Sequence, residues 1–495
     1  MKKYVLSIDQ STTATKAVLF DQDVQLVIQK NIDHKQFFPK LGWVEHDAEE
    51  IYRKTKQAIR SVIEKSKVPS ADISAIAITN QRETTVVWDR KTGKPVFNAI
   101  VWQDRRTADY CMSLKEAGFE KVITGKTGLL IDAYFSASKI RWILDHVDGV
   151  KERAHKGELA FGTTDSWVIW NLTNGKSHIT DVSNASRTML FNIHTLKWDD
   201  ELLKIFGIPA SMLPQVVPSS YVNGMVTDIE ELNGVPIAGI AGDQQAALFG
   251  QMCTQEGMAK CTYGTGCFLV MNTGSKAIVS GNKLLTTIGW QIGTEVSYAL
   301  EGSVFMGGAV IQWLRDGLEF FAQAPESEEL AAQVDDSGGV VFVPSLTGLG
   351  APHWDPYARG SIFGITRGTT KAHLTRAALE SICFQVNDVI ETMKRDSGED
   401  IAELRVDGGA AANNLMLQFQ SDLSQINLVR STNVETTALG VAFFAGIAVG
   451  LWSLEELQSK WIIERTFKTS GNKQDIGKMK SRWYKAVERT KNWID

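Results

Sequence analysis

Two β-type apolar runs, residues 4–9 and 16–20, flank a short polar stretch. This pattern predicts an antiparallel hairpin whose turn presents Asp9, Gln10, Ser11, Thr12 and Thr13. The design recurs half a chain later, where residues 261–274, CTYGTGCFLVMNTG, place threonine and glycine in a turn ahead of an apolar strand from Phe268 to Met271. Residues 72–89 read as strand, polar loop and strand, and residues 236–250 as a short strand, a turn and a helix. Helical spacing of apolar residues predicts helices over 47–65, 106–118, 136–147, 305–321 and 371–394, and residues 404–423 read as strand, glycine turn and helix. Alternating strands and helices indicate an α/β fold with helices covering sheets. Two hydroxyl-rich turns half a chain apart suggest two similar lobes, with a boundary near 245–260, although no residue-level repeat joins them.

Composition narrows the function classes. At 495 residues the chain exceeds one ordinary core and suggests roughly two to four domains. A net charge of -5 provides no positive field to gather nucleic acid or an anionic membrane surface, so any phosphate contact must be local. Cys111, Cys253, Cys261, Cys267 and Cys383 are scattered and never spaced CxxC, which predicts reduced, mostly buried thiols rather than a disulfide framework or a zinc site. The N-terminal stretch meets an acid at Asp9 before any signal-like apolar region, and no apolar run reaches the ~20 residues of a membrane span. A cytoplasmic protein is expected.

The polar turns carry the candidate chemistry. Thr12 and Thr13 can offer hydroxyls and backbone N–H groups to phosphate oxygens, and an acid at the strand end, Asp9, can hold a hydrated magnesium ion. Alone, such a stretch is more often a solvated hairpin turn. Gly264-Thr265-Gly266 and Gly408-Gly409, the latter followed by Asn413 at a helix opening, make it one of three small-polar turns at strand ends. Gly125-Lys126-Thr127 and Gly175-Lys176-Ser177 imitate a Walker loop, but Glu120 and Trp170 stand where its first glycine must be. Arg82 and Glu83 pair a donor fork with an acceptor suited to vicinal hydroxyls, or else form a surface ion pair. Trp102 and Tyr134 can supply an apolar wall and a phenol donor, though aromatics are more often core. Asp243, at a strand-to-helix turn, can be a helix N-cap or a general base.

Nine stretches, among them GWVEHD (42–47), ITNQRETT (78–85), AGDQQAALFGQ (241–251), TYGTGCF (262–268) and RVDGGAAANN (405–414), occur together and in order. From residue 4 to about 467 they closely resemble the glycerol kinases of the FGGY carbohydrate-kinase family, within the actin, hexokinase and Hsp70 ATPase superfamily. The resemblance implies two ribonuclease H-like lobes, residues 1–250 and 251–495, closing a central cleft on MgATP and glycerol. It further implies that Arg82, Glu83, Tyr134, Asp243 and Gln244 bind the polyol hydroxyls, that Trp102 and Phe268 pack its carbon chain, and that Asp243 is the base. Asp9 would hold magnesium, and Thr12, Thr13, Ala14, Lys16, Thr265, Gly308, Gln312, Gly409 and Asn413 would line the nucleotide.

Ser11, Ala14 and Lys16 depart from residues common in the family (glycine, serine and arginine), which places nucleotide affinity in question. Residues 221–236 contain neither the arginine of a fructose 1,6-bisphosphate loop nor a phosphorylatable histidine, so neither control is expected. A homodimer or homotetramer is implied by the resemblance. Competing readings are an FGGY kinase for another polyol or sugar (xylulose, erythritol), a nucleotide-switched binding protein of the actin or Hsp70 kind, and a pseudokinase.

Overall fold

In the computed structural model, which describes residues 3–470 and 473–494, two sheets stand behind two halves of the chain; Met1 and Lys2 lie outside the described residues. The first sheet runs Ile237–Gly242, Ile73–Asn80, Tyr4–Gln10, Ala14–Asp21, Leu26–Asp33. Its last three strands form an antiparallel meander, and its first two are parallel to Tyr4–Gln10. The second sheet has seven strands, and five of them, Glu295–Val304, Cys267–Gly274, Ala259–Tyr263, Glu403–Asp407 and Asn427–Ser431, repeat that order and those directions. Leu285–Ile292 and Ile463–Phe467 extend the two edges of this sheet. The expected pair of similar lobes is therefore a repeat of topology, which needs matching hydrophobic alternation rather than matching residues.

Both hairpins form where expected, each joined by a three-residue turn, Ser11–Thr13 and Gly264–Gly266. Helices Ala48–Ser66, Ala108–Glu116, Ser136–His146 and Lys371–Ser397 occupy the expected stretches. The helix expected over 305–321 is confined to Ala309–Asp316. Gly307 and Gly308 donate their N–H groups to the carbonyls of Thr265 and Gly264, so this segment supports the second hairpin turn instead of extending the helix. Gly125-Lys126-Thr127 ends a helix, Glu120–Thr127, and Lys126 is paired with Asp199 and Glu201, which confirms that it is no phosphate loop. All five cysteines are free and buried, as the sequence predicts. Among the described residues no helix is long and apolar enough to cross a membrane.

The two halves share a core. Helix Thr436–Ala448, apolar on all sides, lies against the Asp243–Gly250 helix and the strands of the first sheet, and its Ala438–Ala445 segment joins one buried cluster with Val5, Ala77, Phe249, Val270 and Trp290. Close approach of the two helices depends on glycine. A Cβ on Gly440 would lie 1.8 Å from the Ala246 carbonyl oxygen, and one on Gly250 would lie 2.0 Å from that of Thr436. Backbone cannot yield as a side-chain tip can, so Gly440→Ala is expected to destabilise by about 3 kcal/mol or more. Gly125→Ala, whose Cβ meets open space within a helix, should instead stabilise by about 0.5–1 kcal/mol. Opposite shifts of the thermal midpoint are the expected result, and equal shifts would refute the glycine contact.

Candidate active site

The site is assembled at the C-terminal ends of strands. Asp9 is the next-to-last residue of the first strand, at 8% exposure, and its carboxylate accepts a hydrogen bond of 2.8 Å from Ser11 Oγ. Burial pushes its pKa up to about 6, against the lowering effects of Ser11 and Lys16. Ser11 does not have a positive φ, so this position does not require glycine, and its hydroxyl serves to hold Asp9. Thr12 Oγ1 accepts from Trp102 Nε1 at 2.9 Å, which ties the first turn to the Trp102 and Tyr134 rings. Lys16 Nζ reaches both oxygens of Glu435, at 2.6 and 2.9 Å, just ahead of the Thr436–Ala448 helix. Ala14 is buried and Thr13 exposed.

The second turn and the glycine turn after Glu403–Asp407 close a pocket of about 400 Å³. Thr265, Gly308, Gln312, Gly409 and Asn413 all line it, so five of the nine positions assigned to the nucleotide meet in one place. Thr12, Thr13, Ala14 and Lys16 belong instead to the turn of the first lobe. Gly408 has φ 91°, and a Cβ there would lie 2.5 Å from the Tyr263 carbonyl oxygen, so the chain can pass only as glycine. Asn413 caps the following helix by accepting from Met416 N at 2.8 Å. Glu328 accepts from the N–H groups of Asn414 and Leu415 at the same helix end.

Arg82 and Glu83 are not a surface pair: they are 3% and 1% exposed. Arg82 Nε lies 3.0 Å from Asp243 Oδ1, and its two terminal nitrogens lie 2.5 and 3.0 Å from the oxygens of Glu301. Tyr134 Oη accepts from Arg82 at 3.4 Å, and the Tyr134 ring meets Trp102 edge to face at 5.6 Å. Glu83 sits at φ 62°, a strained conformation for a side chain of its size, and is held by Arg187 Nε at 2.7 Å. Asp243 is the first residue of its helix; Gly242 occupies the N-cap position, so capping is not the role of this acid. A Cβ at Gly242 would lie 2.7 Å from the Arg82 stem, so glycine admits the arginine against the strand end. Asp243 is 34% open on its side chain, and burial raises its pKa while Arg82 lowers it, the net direction being upward.

Gln244 Oε1 accepts from Lys260 Nζ, which also donates to Thr262 Oγ1 at 2.8 Å. Phe268 is half-buried on the strand leaving the second turn. Four partners escaped the sequence reading. Arg187, Lys260, Glu301 and Glu435 lie far from the turns in sequence, and only folding brings them in. Glu301 had one readable signal, a lone acid within the run Tyr298–Gly302, which is buried throughout.

Residues 4–250 match the N-terminal domain of the FGGY family of carbohydrate kinases, and residues 259–449 match its C-terminal domain. A glycerol kinase of Parabacteroides distasonis is 55% identical over 494 residues, covering 100% of this chain and 99% of its own. "Glycerol kinase 2" of Thermotoga maritima is 56% identical, covering 99% of each chain. The crystal structure of Plasmodium falciparum glycerol kinase with ADP superposes with a TM-score of 0.94 at 38% identity, covering 98% of both chains. A xylulose kinase of Lactobacillus acidophilus, at 23% identity and a TM-score of 0.88 over 98% of this chain and 97% of its own, shares the fold. With both domain matches in series and full-length relatives above half identity, the chain belongs to the FGGY family of carbohydrate kinases.

Proposed function

We propose that this chain is an ATP-dependent glycerol kinase that forms sn-glycerol 3-phosphate. The observation that carries the reading is the Asp243 carboxylate, partly open at a strand-to-helix junction and oriented at 3.0 Å by Arg82 within the Tyr134 and Trp102 wall. Full-length identity of 55–57% to glycerol kinases supports glycerol over another polyol or sugar.

In this reading the first half, 1–250, carries the polyol and the second, 251–495, the nucleotide base and ribose. Arg82, Glu83, Tyr134 and Gln244 bind hydroxyls, and Trp102 and Phe268 face the carbon chain. Asp243 accepts the proton of the terminal hydroxyl as that oxygen bonds to the γ-phosphorus and the bond to the β-bridging oxygen breaks, releasing ADP. Positioning and charge neutralisation supply most of such a rate enhancement.

Magnesium fits the donor set. Among the described residues no three acidic, histidine or cysteine side chains cluster into a cage, and Asp9 stands as a single buried carboxylate at the turn. A hard cation that keeps its waters and takes phosphate oxygens needs only one or two protein carboxylates. Asp9 would hold it, and when bound it would neutralise charge on the phosphates. Cytoplasmic location and a homodimeric or homotetrameric state belong to the same proposal.

A coupled ADP-release assay with MgATP tests the activity: strong glycerol-dependent turnover over a near-zero blank is expected. Turnover with xylulose or erythritol but not glycerol would overturn the substrate, and acceptor-independent release would favour a nucleotide switch. Asp243→Asn should lower kcat by about 10²–10⁴-fold while ADP still binds, as followed by calorimetry; normal turnover would remove Asp243 as the base. Because the base must be ionised and burial raises its pKa, kcat/KM should fall on acidification at a pH above the ordinary aspartate value. An acid limb at or below that value would contradict the assignment.

A further inference from the structure

Arg82 and Arg187 come from the first half of the chain, and both are buried, at 3% and 0% exposure. Two guanidinium groups this close repel each other and have lost most of their water, so each needs a carboxylate in a fixed place. Glu83 supplies one oxygen to Arg187, at 2.7 Å. The other acid comes from the opposite half. Glu301, fully buried in strand Glu295–Val304 of the second sheet, accepts from Arg82 Nη1 at 2.5 Å, from Arg82 Nη2 at 3.0 Å and from Arg187 Nη2 at 3.1 Å.

This geometry fixes more than charge. A fork-on-carboxylate contact defines the plane of a guanidinium as well as its distance. With both terminal nitrogens on Glu301, the Arg82 Nε edge is turned to Asp243 at 3.0 Å and its Nη2 to Tyr134 at 3.4 Å. The edge that meets the polyol is therefore set by a residue that does not face the polyol.

We propose that Glu301 is a positioning residue for phosphoryl transfer, a carboxylate of the nucleotide half that orients Arg82 and so shapes the acceptor site of the other half. The proposal rests on Arg82 being a polyol ligand, and it makes acceptor binding depend on how the two halves are docked.

Around Asp243 the charges are Arg82 and Lys260, which favour its ionised form, and Glu301 and Asp9, which oppose it. Counting Arg187 and Glu83 with Arg82, Lys260, Glu301, Asp9 and Asp243, three cations face four anions. Removing the Glu301 charge takes away one of the anions that oppose ionisation of Asp243, which favours its carboxylate.

The test is E301Q, which keeps shape and removes charge. The KM for glycerol should rise roughly tenfold to a hundredfold, as expected for a ligand turned out of its productive plane, while the KM for ATP stays within about twofold of wild type. The acid limb of kcat/KM should also move to lower pH, a change that loss of packing alone would not produce. Since two buried arginines then share too little negative charge, E301Q can fail to fold; the charge-balanced R187M/E301Q carries the same test, with glycerol KM still raised and the acid limb near its wild-type position. A folded variant with unchanged glycerol KM overturns the proposal, as does an equal loss toward both substrates with an unmoved limb. Wild-type enzyme without glycerol-dependent turnover would overturn the functional reading itself, an outcome distinct from an active wild type with an unaffected E301Q.

Discussion

A guanidinium almost sealed from water is the constraint on which this site is built. Arg82 is 3% exposed, and a buried cation is tolerable only where carboxylates are held in contact with it. Glu301 meets its terminal nitrogens and Asp243 meets its Nε. Burial works against ionisation of Glu301, yet Arg187 and Arg82 outweigh it and hold its pKa at about 2. Buried ion pairs of this kind add little net stability, because desolvation offsets attraction. Their effect here is orientation: the same contacts that neutralise Arg82 fix the acid at the head of the Asp243–Gly250 helix.

Topology decides what surrounds that cation. Strands Tyr4–Gln10, Ile73–Asn80 and Ile237–Gly242 are mutually parallel, so their C-terminal ends share one edge of the first sheet. Asp9, the Arg82 loop and Asp243 are the residues found there. In the second sheet, Ala259–Tyr263 and Glu403–Asp407 are parallel neighbours and deliver the Thr265 and Gly409 turns. Ligands of open α/β sheets gather at such strand ends because loops there are free to vary while the strands stay fixed. The interleaved helices around Gly250 and Gly440 bring the two edges together.

What could be read from the chain follows from range. Hairpins, glycine turns and the strand-to-helix passage at Asp243 are local, written in alternation and turn residues over ten or so positions, and they form as expected. The helix expected over 305–321 is shorter because apolar spacing says nothing of Gly307 and Gly308 donating to a turn 42 and 44 residues earlier. Arg187, Lys260 and Glu435 carry no local sign of a site role, and Glu301 only one, for the same reason: each acts through a partner between 16 and 419 residues away. A charged residue inside a buried strand was the one available sign, since such a residue must be neutralised by something.

The departures in the first turn follow the same logic. Ser11, where the family resemblance leads one to expect glycine, has a φ that is not positive, so the side chain costs no left-handed strain, and its hydroxyl restrains Asp9. Lys16 cannot fork onto two phosphate oxygens as arginine can, and its ammonium is already engaged by both oxygens of Glu435. Its charge thereby links the first turn to the helix that unites the halves. Trp102 orients a hydroxyl of the same turn: by donating to Thr12 Oγ1 it occupies a lone pair of that oxygen and leaves the hydroxyl hydrogen free. Trp102 and the Ser11–Thr13 turn, far apart in the chain, are thus joined by a hydrogen bond.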